Sequence, residues 1–478
     1  MGYLETQVRD QKKIGKVSIP GVVDCLFVNP KDMLSSLPYV KTLTTISVLR
    51  EAGIKVQLID PAPEKKQVSD IFETIQAIRP SILCISAYPS TLPFAYQLCQ
   101  KIRLAQIPIT IVLEGYHVNA DPTIIREMDI DYGLTGDTEF TMLALCQAVL
   151  KEEKPDESLQ GLVLNLGNEV KINPPIPIKD INILPIPAYE LMQIGKYYSA
   201  STNKRLMYVF TSRGCPYECN FCTIPTQRLY RYLDTEHTMA QLKYLVNDLR
   251  ITWIEFMDLT FTVNRKRVLE LCDAIQKQGL HFQWGCETRA DLVDEVLLKA
   301  MKDAGCDKIT FGVESGNEYI RAKTGKKISN QQFIEAFNLC KKLQIRTMAN
   351  FIIGHPEETE AQMMDTLSFS KQIDAFNVFY TRMIPLPDVD IFIRGVKNGE
   401  IEPDIWIKYM KGEAQHPAYY PTTIDPKKMD RILKKALLSY YLRPSTVRKY
   451  LYLFKDIRYL FRTIGVFFEY TFGGPIFK

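Results

Sequence analysis

Two successive series of β-branched runs, each alternating with helical stretches, restrict this chain to the α/β class more tightly than any other feature. From about Val22 to Val149 the order is VVDCLFVN, a helix near Thr44 to Ala52, IKVQLID, a helix through Ile71 to Ile78, SILCISA, another helix, and ITIVLEG. Such punctuation predicts an open, Rossmann-like parallel sheet with helices on both faces. Ligands of these sheets bind at the carboxyl ends of the strands. Those ends fall at Asn29-Pro30, Ser86 to Pro89, Glu114 to His117 and Thr135 to Glu139. A second series begins at Met207-Tyr208-Val209-Phe210 and continues through WIEFMD, HFQWGCE, KITFGVE, RTMANFIIG and NVFYTRMIP. Six strands, each followed by a helical segment, predict a partial (β/α)6 barrel whose chemistry sits at the C-terminal strand ends.

The expected organisation is a sheet domain over 1–150, a Pro-rich ordered connector over 151–200, the barrel over 201–390 and a basic, aromatic helical region over 391–478. A chain of 478 residues exceeds one ordinary core, and 46% hydrophobic with 24% charged residues excludes disorder. Eleven cysteines at mostly irregular spacings, without a signal-peptide pattern, point to a reducing cytoplasm and not to a disulfide scaffold. No stretch reaches the roughly 18 to 20 apolar residues that span a bilayer. The net charge of +4 conceals a basic segment, Lys427 to Arg462, with 11 Lys and Arg against 2 Asp. That asymmetry points to an anionic partner or surface, and no nucleic acid is expected. From Met429 through Tyr470 aromatic and aliphatic residues interleave with the basic ones. Two readings stand side by side: helices that close the barrel, or peripheral contact with a membrane interface.

The sharpest motif is Cys215-Pro216-Tyr217-Glu218-Cys219-Asn220-Phe221-Cys222, directly after the first strand of the second series. Thiolates spaced four and three residues apart on one loop can each take a different iron of a cubane, which leaves the fourth iron open to substrate. The competing readings are three unrelated thiols or a zinc knuckle, and zinc wants a fourth protein ligand that the neighbouring sequence lacks. Cys25, Cys84, Cys99 and Cys146 read as core thiols, as do Cys272, Cys306 and Cys340 on helix-like segments; Cys286, near a strand end, stays open.

The CxxxCxxC loop and the strand-end segments downstream of it resemble the radical S-adenosylmethionine (SAM) superfamily, and the resemblance implies a 4Fe-4S cluster whose open iron chelates SAM. One electron then cleaves SAM to a 5′-deoxyadenosyl radical. By the same resemblance Phe221 lies beside the adenine, Met257-Asp258 occupies the motif that touches the SAM amino group, and Gly312, Glu314 and Ser315 form the fourth-strand segment near SAM. Arg289 is suited to the SAM carboxylate, or else to a surface salt bridge. In the NFIIGHP segment His355 stands where the family often has Leu.

A Rossmann-like domain ahead of such a barrel is similar to the cobalamin-binding subgroup, which includes radical methyltransferases, the anaerobic magnesium-protoporphyrin cyclase and hopanoid-modifying enzymes. The corrin contacts this implies are Ser86, Glu114-Gly115-Tyr116-His117 and Gly136-Asp137. Glu114 replaces a glycine of the family's Gly-Gly-x-His turn, and Asp137-Thr138 replaces Glu-Gly. The rival readings are a relict domain without corrin and a methylthiotransferase with a second cluster on the N-terminal cysteines. The implied activity is cobalamin-dependent C-methylation of a small or lipid-like substrate, with radical oxidation or cyclisation as the alternative. A flavodoxin or ferredoxin is the implied reductant.

Overall fold

The computed structural model describes residues 23–30, 40–61, 64, 66–198, 204–222, 228–414 and 424–450. Its first sheet has seven strands: β1 Cys25–Val28, β2 Val56–Ile59, β3 Ile82–Ser86, β4 Thr110–Glu114, β5 Tyr132–Leu134, β6 Leu162–Asn165 and β7 Val170–Ile172. They lie in the order β2-β1-β3-β4-β5-β6-β7. The first five pair in parallel, as expected. The strands β1, β3 and β4 are buried on both faces because helices cover each side, which explains their continuous apolar runs. Strands β6 and β7 correct the expected connector. They form an antiparallel hairpin that extends the sheet. Leu162, Val163 and Leu164 are buried there, and three apolar residues beside a Gly167 turn are too short a run to carry a period.

The second sheet begins with β8 Leu206–Val209, and a short ribbon of β9 Ser212–Arg213 and β10 Arg231–Tyr232 stands beside it. Its other members are β11 Trp253–Phe256, β12 Gln283–Thr288, β13 Cys306–Glu314, β14 Arg346–Ile353 and β15 Asn377–Arg382. All six strands are parallel, in the order β15-β14-β13-β12-β11-β8. Cys306 therefore opens a strand, against the helix-like assignment. Side chains alternate strictly along β14 and β15: Thr347, Ala349, Phe351, Val378 and Tyr380 are buried, while Met348, Asn350, Ile352, Phe379 and Thr381 are half-exposed. The buried set faces the outer helices and the other set faces the barrel lumen, as a period of two requires. The intervening helices start on side-chain caps: Asp234, Asn264, Asp294, Asn317, Ser329 and Thr359 each accept a backbone N–H of the first turn.

A continuous apolar core joins the two sheets, running from Phe27 and Leu43 through Tyr189 and Tyr197 of the connector to Val209 and Phe256. A second cluster joins Leu83, Leu113 and Val118 to Met383, Trp406 and Tyr409. Helix Ile405–Lys411 therefore packs on the first domain, while Pro426–Tyr441 packs on β15. The barrel-closing reading of the C-terminal segment fits helix Pro426–Tyr441. No described helix is long and apolar enough to cross a membrane. The rest of the basic aromatic segment, from 451 onward, lies outside the described residues.

Candidate active site

The cysteine loop leaves β8 and is bracketed by the antiparallel β9–β10 ribbon. Cys215, Cys219 and Cys222 are half-buried, whereas all eight other cysteines, Cys286 included, are buried. Burial pushes the thiols of Cys84 and Cys286 well above the ordinary value, so those groups stay protonated and inert. The loop is seated on the barrel by backbone contacts: Asn220 N–H donates to the Thr324 carbonyl at 3.1 Å, and the Asn220 amide donates to Lys323 at 2.9 Å. Gly325, at φ +84°, makes this approach possible, because a Cβ there would lie 2.5 Å from the Glu218 carbonyl oxygen. Thr260 Oγ1 lies 3.6 Å from Cys215 Sγ. Among the described residues no three His, Cys, Asp or Glu side chains converge on a single metal position.

The downstream residues divide into those that reach the lumen and those already committed elsewhere. Asp258 is committed: its carboxylate accepts from Thr211 N and Oγ1, each at 2.6 Å, and from Ser212 N at 3.0 Å, with Arg267 at 3.5 Å. These bonds hold the approach to the cysteine loop; adjacent Met257 donates its N–H to the Val209 carbonyl at 2.8 Å. Ser315 is buried against Thr366 at 3.1 Å. Arg289 lies 3.8 Å over the Tyr217 ring of the cysteine loop, with its fork turned on Asp291 at 2.8 and 3.0 Å. Glu314 ends β13 in the left-handed region, φ +67°, beside a register shift, and pairs with Lys326 at 2.8 Å. Lys326 also donates to the Gly312 carbonyl at 2.6 Å. Phe221 meets His355 edge to face at 6.3 Å. His355 is buried, and burial lowers its pKa to about 4.

Sequence reasoning missed Glu287. Its side chain is solvent-accessible, yet it shares the lumen with Tyr208, with the Glu255–Lys308 pair (2.7 Å) and with the Glu314–Lys326 pair. Enclosure and the neighbouring Glu255 push its carboxyl up. Its place at the C-terminal end of β12, next to Thr288, was the available signal.

At the edge of the first sheet, Glu114 is buried among hydroxyls. Its Oε1 accepts from Ser86 at 3.0 Å and Thr42 at 3.4 Å, and its Oε2 accepts from Thr138 at 3.0 Å. Burial raises its pKa against these donors and Lys41. Gly115 has φ +117°, and a Cβ there would sit 2.4 Å from the Ala87 carbonyl oxygen. His117 is fully buried, 5.0 Å from the Trp406 ring, and among the described residues neither ring nitrogen has a hydrogen-bond partner. Burial drives its pKa down to about 3. The Gly136 N–H donates to Asn119 at 2.7 Å. Asp137 turns away from this edge onto Arg213 and Arg231.

Residues 209–370 match the radical SAM superfamily, and residues 44–146 match the B12 binding domain. Over 417 residues the sequence is 31% identical to an uncharacterized methyltransferase of Pyrococcus horikoshii, covering 84% of this chain and 87% of that protein. The chain belongs to the B12-binding radical SAM family. It is 25% identical over 346 residues to the anaerobic magnesium-protoporphyrin IX monomethyl ester cyclase of Rubrivivax gelatinosus, covering 70% of this chain and 62% of the cyclase, less than two thirds of its length. Its fold is that of the radical SAM methyltransferase TsrM of Kitasatospora setae, solved with cobalamin and a 4Fe-4S cluster bound (TM-score 0.71, 14% identity, 89% of this chain and 90% of that one).

This radical SAM protein is therefore an enzyme, and its cofactors are a 4Fe-4S cluster, SAM and cobalamin. The residues present fit those groups. Three accessible thiols stand on one loop while the others are sealed away. At the sheet edge, a glycine with no room for a Cβ lies beside a histidine with two unpaired nitrogens, and an unsatisfied buried polar group asks for a partner.

Proposed function

We propose that this radical SAM enzyme methylates an unactivated carbon of a small or lipid-like substrate. The observation that carries the reading is the juxtaposition of the cysteine loop with the first sheet's edge. Phe221 packs against the apolar cluster that contains Leu113, Val118 and Trp406, and Tyr116 lies close enough to feel the charge of Cys222. When bound, the cluster and SAM supply a 5′-deoxyadenosyl radical and the corrin supplies a methyl group. In balance, R–H, two SAM and two electrons give R–CH3, methionine, 5′-deoxyadenosine and S-adenosylhomocysteine.

On this reading Cys215, Cys219 and Cys222 hold the cluster. Phe221, Arg289, Gly312 and Glu314 border SAM, with Lys326 holding Glu314 in its left-handed turn. Ser86, Gly115 and His117 face the corrin. Met348, Asn350, Ile352, Phe379 and Thr381 present a largely uncharged lumen wall to the substrate, which suits an apolar molecule with few polar groups. A flavodoxin or ferredoxin supplies the electrons. The basic helix Pro426–Tyr441, where Lys427, Lys435 and neighbouring residues stand exposed, offers a face for an anionic membrane.

Anaerobic reconstitution with iron, sulfide and hydroxocobalamin, followed by metal and corrin quantitation and SAM turnover under dithionite, tests the proposal. Stoichiometric corrin with both 5′-deoxyadenosine and S-adenosylhomocysteine supports it; 5′-deoxyadenosine from corrin-free protein refutes it. The similarity to the cyclase favours a second reading, radical ring formation without methylation. That reading predicts a product lacking the added methyl mass.

A further inference from the structure

The cysteine loop is closed at its two ends by Arg213 and Arg231, directly paired across the β9–β10 ribbon. Both guanidiniums reach the same carboxylate of the first domain: Arg213 bonds Asp137 at 2.8 Å, and Arg231 bonds its other oxygen. Arg213 also takes Glu139 at 2.5 Å. The side chains of Asp137, Glu139 and Arg231 are 5%, 1% and 4% exposed, so two positive and two negative charges neutralise one another away from water. The remaining valences are filled by the connector, as Ile178 N–H donates to Asp137 at 2.8 Å and Arg231 donates to the Ile178 carbonyl at 2.7 Å. Between Asp137 and Glu139 sits Thr138, whose hydroxyl holds Glu114 at the sheet edge. One three-residue turn thus grips the cysteine loop with two side chains and the opposite edge with the third.

We propose that Asp137 and Glu139 are positioning residues that set the separation and orientation of the cluster loop relative to the corrin-facing edge, and that Asp137 makes no corrin contact. This rests on the cofactor assignment above. Buried ion pairs, of which Arg213–Glu139 is bidentate, tolerate little displacement, because an unpaired charge left behind is strongly unfavourable. The clamp therefore behaves as a fixed spacer between two centres that have to act on one substrate carbon.

The test compares wild type, Asp137→Asn/Glu139→Gln and Arg231→Lys, each reconstituted with iron, sulfide and hydroxocobalamin and assayed for both cofactors. The samples are then reduced until cob(II)alamin and the reduced cluster are paramagnetic together. The readout is the microwave power that half-saturates the cobalt signal, which reports distance and orientation to the cluster spin and is blind to turnover. The expected result is a shift of this power outside the spread of replicate wild-type preparations, in variants that retain both cofactors. If the double variant does not accumulate folded, Arg231→Lys, which keeps the charge but not the fork, decides. Unchanged coupling with both cofactors present overturns the inference and leaves the cofactor assignment intact. Wild type without stoichiometric corrin overturns both.

Discussion

Asp258→Asn separates the role the motif position suggests from the role its surroundings impose. A carboxylate that binds the SAM amino group would affect ligand affinity and leave the empty protein alone. In this fold Asp258 instead accepts two backbone N–H groups and the Thr211 hydroxyl, with buried Arg267 at 3.5 Å. Asparagine keeps the oxygen that serves the backbone but sets an NH2 group against the Thr211 hydroxyl and the Arg267 guanidinium, whose side chain is 4% exposed. Removing one member of a buried pair costs about 3–5 kcal/mol. The lower end applies, because Arg267 retains the Thr211 carbonyl at 3.2 Å. For a unit the size of the barrel, ~3 kcal/mol lowers the melting temperature by roughly 6–12 °C. The assay is anaerobic thermal unfolding of the apoprotein at a fixed scan rate, with SAM binding measured separately. A melting temperature within about 1 °C of wild type, combined with a tenfold loss of SAM affinity, would refute the structural assignment.

Three further outcomes are expected at the site. Cys219→Ala should reduce bound iron to background and Cys286→Ala should leave it unchanged; iron loss from Cys286→Ala would place a ligand in the barrel wall. Gly115→Ala must either leave φ +117° or push the Ala87 carbonyl away. Strain of about 1–3 kcal/mol at the sheet edge should weaken corrin retention by roughly tenfold or more while iron content holds, and retention at the wild-type level would remove Gly115 from the corrin site. Glu358 is buried, and burial pushes its carboxyl up to about 7 against the N–H groups of Gly354 and His355. The folded pKa lies above the ordinary 4.5, so the stabilising contribution is complete below that value and is lost as the pH rises to 7. The loss is about 3 kcal/mol. Glu358→Gln does not titrate, and its melting temperature should therefore rise relative to wild type between pH 5 and 8; a pH-independent offset would contradict the buried acid.

The parallel strands were legible because most are apolar runs bounded by a turn or a cap, and a parallel sheet buried on both faces leaves such a run uninterrupted. The cysteine loop was equally legible, since its chemistry lies within eight neighbouring residues. What escaped depends on contacts distant in sequence. Arg231 meets Asp137 across 94 positions, and nothing near either residue signals the partner. The bonds of Asp258 were hidden for the same reason: the motif gives its place after β11, but Arg267 and the Thr211-Ser212 backbone hold its carboxylate. The hairpin at β6 and β7 escaped because strands of four and three residues carry no period.

The two departures from the subgroup's sheet-edge turns become one feature once the fold is known. Glu114 stands where the related turn has glycine, and Asp137-Thr138 stands where it has Glu-Gly. In space Thr138 Oγ1 donates to Glu114 Oε2 at 3.0 Å. A buried carboxylate oxygen left without its donor, and a buried hydroxyl left without a partner, each cost about 1–3 kcal/mol. Either change alone would therefore weaken the edge, whereas together they satisfy each other and recruit Ser86 and Thr42 to the remaining oxygen. Gly115 and His117 are untouched by the exchange, so the edge keeps a close-approach glycine and a buried imidazole. The departures thus relocate the polar support behind the corrin-facing surface, and by themselves they are no argument for a domain that has lost its ligand.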